Sequence, residues 1–224
     1  TGARATRWAL PAVAGGCLIV VGAAFAAGVA LRSHPGRHSD AVASIPKGPI
    51  HVPLYPAGRL AAPDFSLRDQ DGRRFSLSQY RGRPVLITFV DPLCRNLCPL
   101  EAHALNAAVD ELPPAQRPEI VAVSVDVYAD TRHDLMQDFT RWELVPQWRW
   151  GVGGDAQLAS IWKRYRVFVQ VVNKTLAGVT VHYITHTEAA YLIDPSGHER
   201  ALFEWPFLPG QVVAAVRELA HPQA

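Results

Sequence analysis

The chain has 224 residues, of which 49% are hydrophobic and 19% charged, and its formal net charge is +2. That balance describes a globular domain with something apolar attached, and it excludes a disordered chain. The charge is small and scattered, with no long run of Lys or Arg, which excludes a nucleic-acid partner.

No charged residue occurs from Trp8 to Leu31, and the run from Leu10 to Leu31 is long enough to cross a bilayer as a helix. A transmembrane anchor is expected there. A signal peptide cleaved near Ala24-Phe25-Ala26 is the competing reading, but the apolar run continues past that site. Arg4 and Arg7 before the run are nearly cancelled by Arg32 and Arg37 after it, so loop charge alone does not orient the span. Cys17 reads as a membrane-buried cysteine rather than a lipoprotein signal, because the apolar run carries on after it. Residues 32–58, rich in Pro and Gly, read as a tether. The expected organisation is a tail over 1–7, an anchor over 8–31, the tether over 32–58 and one folded domain over 59–221.

Within the domain, Asp64–Leu67 and Arg74–Leu77 alternate around Asp71-Gly72, which predicts a hairpin. Pro84–Val90 predicts a buried strand, and Leu100–Leu112 a helix closed by Pro113-Pro114. Ile120–Val127 predicts a strand with Val and Ala on one face. Thr131–Trp142 predicts a helix carrying Leu135, Phe139 and Trp142 on one side, and a further helix opens at Asp155 with Leu158, Ile161 and Trp162. Val167–Val172 and Val179–Ile184 form a hairpin-like insertion. Ala189–Ile193 and Glu199–Phe203 flank the turn Asp194-Pro195-Ser196-Gly197, and Gln211–Leu219 reads as a closing amphipathic helix. Strands alternating with helices imply a mixed α/β sheet covered on both faces. Trp142, Trp148, Trp150 and Trp162 read as core.

The chemistry concentrates in Asp91-Pro92-Leu93-Cys94-Arg95-Asn96-Leu97-Cys98-Pro99, where a cysteine pair follows a buried strand and enters a helix. The spacing is one residue longer than a thioredoxin-type redox motif, and the extra residue favours holding a soft metal ion. Residues i and i+4 share a helix face, so two sulfurs can close on one ion. Pro99 is tolerated only in a first turn, so the helix must begin close to Cys98, at the positive end of its dipole, where thiolate is favoured. A pair of ordinary buried cysteines and a structural disulfide are the plainer alternatives.

An ordered set of segments resembles the Sco/SenC family of thioredoxin-like copper chaperones for cytochrome c oxidase. The set runs from Ala62-Pro63-Asp64-Phe65-Ser66-Leu67 and Gly82-Arg83-Pro84-Val85-Leu86-Ile87-Thr88-Phe89 through Cys94-x3-Cys98-Pro99. It continues with Ser124-Val125-Asp126, Asp130-Thr131, His186 and Ala190-Tyr191-Leu192-Ile193-Asp194-Pro195-Ser196-Gly197. The resemblance implies a thioredoxin-like fold after an N-terminal transmembrane helix, copper bound by two Cys and one His, and a domain on the non-cytoplasmic side of the membrane. It departs from the family in having Arg95 where Pro is usual, and Asp91-Pro92-Leu93 before the first cysteine. Arg95 beside a thiolate would favour the charged sulfur.

On this reading Cys94, Cys98 and His186 are the ligands of a copper ion, Cu(I) or Cu(II). His186 is placed in a loop leading into Ala189–Ile193, where a redox enzyme of this fold would carry a cis-proline; none occurs between Pro146 and Pro195. His182 shares its parity and would share its face on a continuous strand. His103 reads as solvated. Asp126 and Asp130 read as helix-capping carboxylates or as part of a partner-facing surface.

The leading expectation is therefore a metallochaperone, not an enzyme in the turnover sense. Its partners would be a copper-bearing oxidase subunit and a thiol reductant or second copper chaperone. A thiol-disulfide oxidoreductase using Cys94 and Cys98 is the alternative. A peroxidase is disfavoured, since such enzymes usually place Thr or Ser beside the attacking cysteine.

Overall fold

The computed structural model of the chain describes residues 51–128 and 131–220. The expected anchor over 8–31 lies outside these residues, as does most of the tether. Among the described residues no helix is long and apolar enough to cross a membrane.

A five-stranded sheet forms the centre, in the order β5-β4-β3-β8-β9: Trp148–Gly151, Glu119–Ser124, Val85–Val90, Ala189–Ile193 and Glu199–Glu204. β3 runs parallel to β4 and antiparallel to β8, so the sheet is mixed as expected. All six residues of β3 are buried, because both faces of this central strand are covered. Its alternation divides the core. Leu86 and Val90 pack with Leu105 of helix α1 (Leu97–Glu111), Leu135 of α2 (Arg132–Arg141) and Val212 of α4 (Pro209–Ala220). Val85, Ile87 and Phe89 pack on the other face with Leu67 of β1 (Ser66–Arg68), Phe75 of β2 (Arg74–Ser76), and Leu158 and Ile161 of α3 (Asp155–Arg164).

β4 ends at Ser124 rather than Val127, and it is buried on both faces rather than apolar on one. β5 was not anticipated: Trp148 and Trp150 are core residues as expected, and they achieve this by forming an edge strand beside β4. Trp142 is also fully buried, whereas Trp162 is only partly so.

The insertion is a long arm, β6 (Val169–Leu176) and β7 (Val179–His186), paired residue for residue from Val169↔His186 to Leu176↔Val179. Ala177 (φ 49°) and Gly178 (φ 83°) make its turn. Positive φ at both central residues matches the right-handed twist of the strands. Among the described residues the two strands form a sheet of their own, apart from the central one. The end of the expected tether is docked rather than free. Tyr55 N–H donates to the Arg200 carbonyl (2.6 Å), Arg200 Nε donates to the Tyr55 carbonyl (2.8 Å), and Val52 and Leu54 pack on the core.

Candidate metal and thiol site

The site is assembled where β3 ends. Asp91 leaves the strand and organises a turn: its carboxylate accepts from Leu93 N–H (2.7 Å) and its carbonyl from Cys94 N–H (3.1 Å). Burial raises the Asp91 carboxyl above its usual range. Asn96 then caps α1, its side chain accepting from Leu97 N–H at 2.8 Å. The helix thus begins at Leu97, three residues before the expected Leu100, with Pro99 in its first turn where a missing N–H costs nothing. Arg95 fixes the loop from outside. It donates to the carbonyls of Pro92 (3.0 Å) and Cys94 (2.8 Å) and reaches the buried Asp138 carboxylate of α2 at 3.3 Å.

The two cysteines occupy different environments. Cys94 is half-buried, Cys98 fully buried, and both are free thiols. A hydrogen bond from the Cys98 side chain, helped by backbone N–H groups, lowers the Cys94 thiol to about 6. The same hydrogen bond, together with burial, raises Cys98. Cys94 is thus the thiolate and Cys98 the thiol that supports it.

His186 arrives from the other side of the cleft. It is the last residue of β7, not part of a loop as expected, and its side chain is only 5% exposed. Its Nδ1 lies 3.1 Å from the Thr187 carbonyl, which can only accept, so Nδ1 carries a proton and Nε2 is the nitrogen turned to the cleft. That Nε2 stands 3.8 Å from Cys98 Sγ. Cys98 and His186, 88 residues apart in sequence, are therefore brought together, and Cys94 lines the same cleft.

Among the described residues the close cluster of donor atoms is not the predicted one, however. It comprises Cys98, His186 and Glu188, while Cys94 lies outside it with its sulfur toward the start of α1. Glu188 Oε1 is 3.3 Å from His186 Nε2 and 3.8 Å from Cys98 Sγ. Behind it sits Glu101 of α1, wholly buried, with one oxygen accepting from Thr88 Oγ1 at 2.6 Å. Burial and the neighbouring Glu188 push Glu101 well above the usual carboxylate range. Neither glutamate announced itself in the sequence. Glu101 follows Cys98 by three residues, a spacing that puts both on one side of a helix, and this was the available clue.

A cleft of about 530 Å³ opens over these groups, lined by Cys94, Arg95, His182, His186 and Glu188 among others. His182 lines it without joining the donor cluster. Its ring stacks on Tyr128 (centroids 3.8 Å apart) and its Nδ1 meets Asn173 Oδ1 at 2.8 Å. His103 is exposed on α1, as expected. Asp126 is buried and accepts from Tyr128 N–H at 2.7 Å, closing a local turn rather than capping a helix. The cap of α2 is Thr131, and Asp130 lies outside the described residues.

A family model described as SCO1/SenC matches residues 56–221. The chain belongs to that family. Over 158 residues it is 27% identical to Protein SCO1 homolog 1, mitochondrial, of Arabidopsis thaliana, covering 69% of this chain and 46% of that one. A stretch of 66 residues is 39% identical to peroxiredoxin Q, chloroplastic, of Oryza sativa subsp. japonica, covering 30% of each. The chain spans half or less of the length of these curated relatives. Its fold is similar to that of ScoI of Bradyrhizobium japonicum with copper bound, with a TM-score of 0.59 and 23% identity over 71% of this chain and 99% of that one. It is equally similar to BsSco, described as a member of the Sco family of cytochrome c oxidase assembly proteins with a disulfide switch; here the TM-score is 0.59 and the identity 20%, over 76% of this chain and 99% of that one. At such identities the likeness establishes the fold, which is thioredoxin-like α/β.

Proposed function

We propose that this SCO1/SenC chain is a copper metallochaperone, holding one copper ion as cargo through Cys94, Cys98 and His186 and passing it to a copper-bearing subunit of cytochrome c oxidase. The observation that carries the reading is the 3.8 Å approach of Cys98 Sγ to His186 Nε2 across 88 residues of chain. Two sulfurs and one imidazole nitrogen suit a soft ion that accepts a low coordination number. Cys94, a thiolate near neutral pH at the mouth of the cleft, is placed to meet the ion first. Cys98 gives up its proton as it closes on the ion, so loading releases a proton. The Thr187 carbonyl holds the His186 ring in the tautomer that presents Nε2.

The family and the copper-bound ScoI structure support copper as the cargo, and the description of BsSco supports oxidase assembly as the setting. The uncharged run over 8–31 supports a single-pass anchor, and membership of the family supports a domain on the non-cytoplasmic side, where a thiol reductant would keep the pair reduced or a second copper chaperone would supply the metal.

The test is an anaerobic Cu(I) titration of the reduced full chain against a competing chelator. One tight copper per chain is expected, weakened by His186→Ala and abolished by Cys94→Ala/Cys98→Ala. Binding indifferent to His186 would overturn the reading.

A thiol-disulfide oxidoreductase is the second reading, favoured by the lowered pKa and partial exposure of Cys94. The Cys94 thiolate would attack a partner's disulfide and release one partner sulfur as thiolate. Cys98, losing its proton, would then attack Cys94, releasing the partner's second sulfur and leaving a Cys94–Cys98 disulfide. Two electrons pass to the partner. Activity of this kind survives His186→Ala, which separates the two readings.

A further inference from the structure

Glu188 sits where an ion shared by Cys98 and His186 would find a third kind of donor atom, oxygen. The three separations among Cys98 Sγ, His186 Nε2 and Glu188 Oε1 are 3.8, 3.3 and 3.8 Å. Donors about 2.0–2.3 Å from a tetrahedrally ligated ion lie roughly 3.3–3.8 Å from one another. The Glu188 side chain is only 14% exposed and that of His186 only 5%, so water does little to separate them. Nε2 and the carboxylate oxygen face each other 3.3 Å apart in this shielded place, an arrangement that takes either a shared proton or a metal cation between them.

The surroundings hold Glu188 in that position. Its backbone carbonyl accepts from Trp205 N–H at 3.1 Å, at the edge where β8 meets β9. Behind its side chain stands Glu101, fully buried and anchored by Thr88. The second carboxyl oxygens of Glu101 and Glu188 are both buried, where the two side chains pair with each other.

We propose that Glu188 is an oxygen donor to the copper held by Cys98 and His186, engaged by the divalent ion rather than the monovalent one, with Glu101 as a positioning residue behind it. The inference rests on the copper reading above and extends it. Carboxylate oxygen suits the harder, divalent ion and adds little for the soft monovalent one. Glu188 therefore sets which oxidation state of copper the site retains.

The experiment compares the full chain with Glu188→Gln, which keeps the size and removes the charge. Both proteins are titrated anaerobically with Cu(I) and, separately, with Cu(II) under matched chelator competition, and the Cu(II) forms are examined by electron paramagnetic resonance. Glu188→Gln is expected to weaken Cu(II) ~10-fold or more and to change the copper hyperfine splitting, with Cu(I) affinity nearly unchanged. Glu101→Gln is expected to weaken Cu(II) less and to leave the donor set read from the spectrum intact. Unchanged Cu(II) affinity and spectrum in Glu188→Gln, with Cu(I) still bound tightly, would overturn the oxygen donor while leaving the copper reading standing. Equal loss of both ions would also overturn it, by showing a general disturbance of the site. Failure of the wild-type chain to take Cu(I) would instead remove the copper reading itself, and this inference with it.

Discussion

The backbone N–H of Cys98 points at the sulfur of Cys94 from 3.3 Å away and adds to the hydrogen bond from the Cys98 side chain, the larger cause of the outer cysteine's acidity. Thiolate is the reactive form, and the lowered Cys94 thiol, about 6 against 9.0 for an unperturbed cysteine, fixes the sign of its pH dependence. Alkylation of Cys94 by iodoacetamide is expected to be on its plateau at neutral pH and to fall as pH drops through about 6. Cys98, raised and buried, stays slow across that range. The same depression contributes stability at alkaline pH that is lost as pH falls through about 6. Peptide mapping after anaerobic alkylation at a series of pH values measures both rates, and equal reactivity of the two cysteines would contradict the assignment.

Asp138 behaves in the opposite sense. Its side chain is fully buried, and burial raises its carboxyl to about 6 against the pull of Arg95 and Arg141, which meet one oxygen at 3.3 and 3.2 Å. A raised folded pKa stabilises most below the unfolded value of 3.8, and the stabilisation is lost as pH rises through about 6. Asp138→Asn carries no such charge. The Tm of the variant minus that of the wild type is therefore expected to grow between pH 4 and pH 7, and a flat difference would refute the argument.

Asn106 ties α1 to the segment after α2. Its amide donates to the carbonyls of Trp142 (3.2 Å) and Glu143 (3.0 Å), and its carbonyl accepts from Trp148 Nε1 at 2.7 Å. Asn106→Ala leaves several buried polar groups without partners and is expected to cost ~3 kcal/mol in denaturant unfolding. A loss below ~1 kcal/mol would mean that water or a neighbour takes over its bonds.

Arg95 ties down the loop between the cysteines at three points, the carbonyls of Pro92 and Cys94 and the Asp138 carboxylate. Its side chain is 48% exposed, so these bonds compete with water. Arg95→Ala is expected to lower overall stability by only ~1 kcal/mol. The larger effect is expected in hydrogen exchange of the amides of Cys94 and Leu93, which should quicken more than those of β3.

Much of the domain was legible because its elements obey simple periodicities. The six-residue apolar β3, the proline-closed α1 and the turn at Asp194–Gly197 could be read directly, and with them the placing of the cysteines between strand and helix. The limits of β4 and β5 were not legible. Val125 is buried like its neighbours and continues the apolar run past the last paired residue, while Trp148-Arg149-Trp150-Gly151 becomes a strand only because β4 offers it an edge. At the site, His186 could be chosen from its position before β8. Glu188 could not, since its significance lies in distances to residues 2 and 90 positions away, and a lone glutamate beside a strand usually faces water. Glu101 was hidden for a related reason: charged residues on helices are ordinarily solvated, and only the fold shows this one wholly buried behind the site.

The arm formed by β6 and β7 divides labour in the site. Among the described residues these strands hydrogen-bond to each other and not to the central sheet, yet β7 ends on His186. The sulfur side of the site thus stands on the central sheet and α1, and the nitrogen side on a two-stranded boom whose base is held to the body by Val169 and Ile184 in the core and by His182 stacked on Tyr128. The boom's far end exposes Leu176 and Val179, more than half open to solvent, at the full length of β7 from the ring it carries.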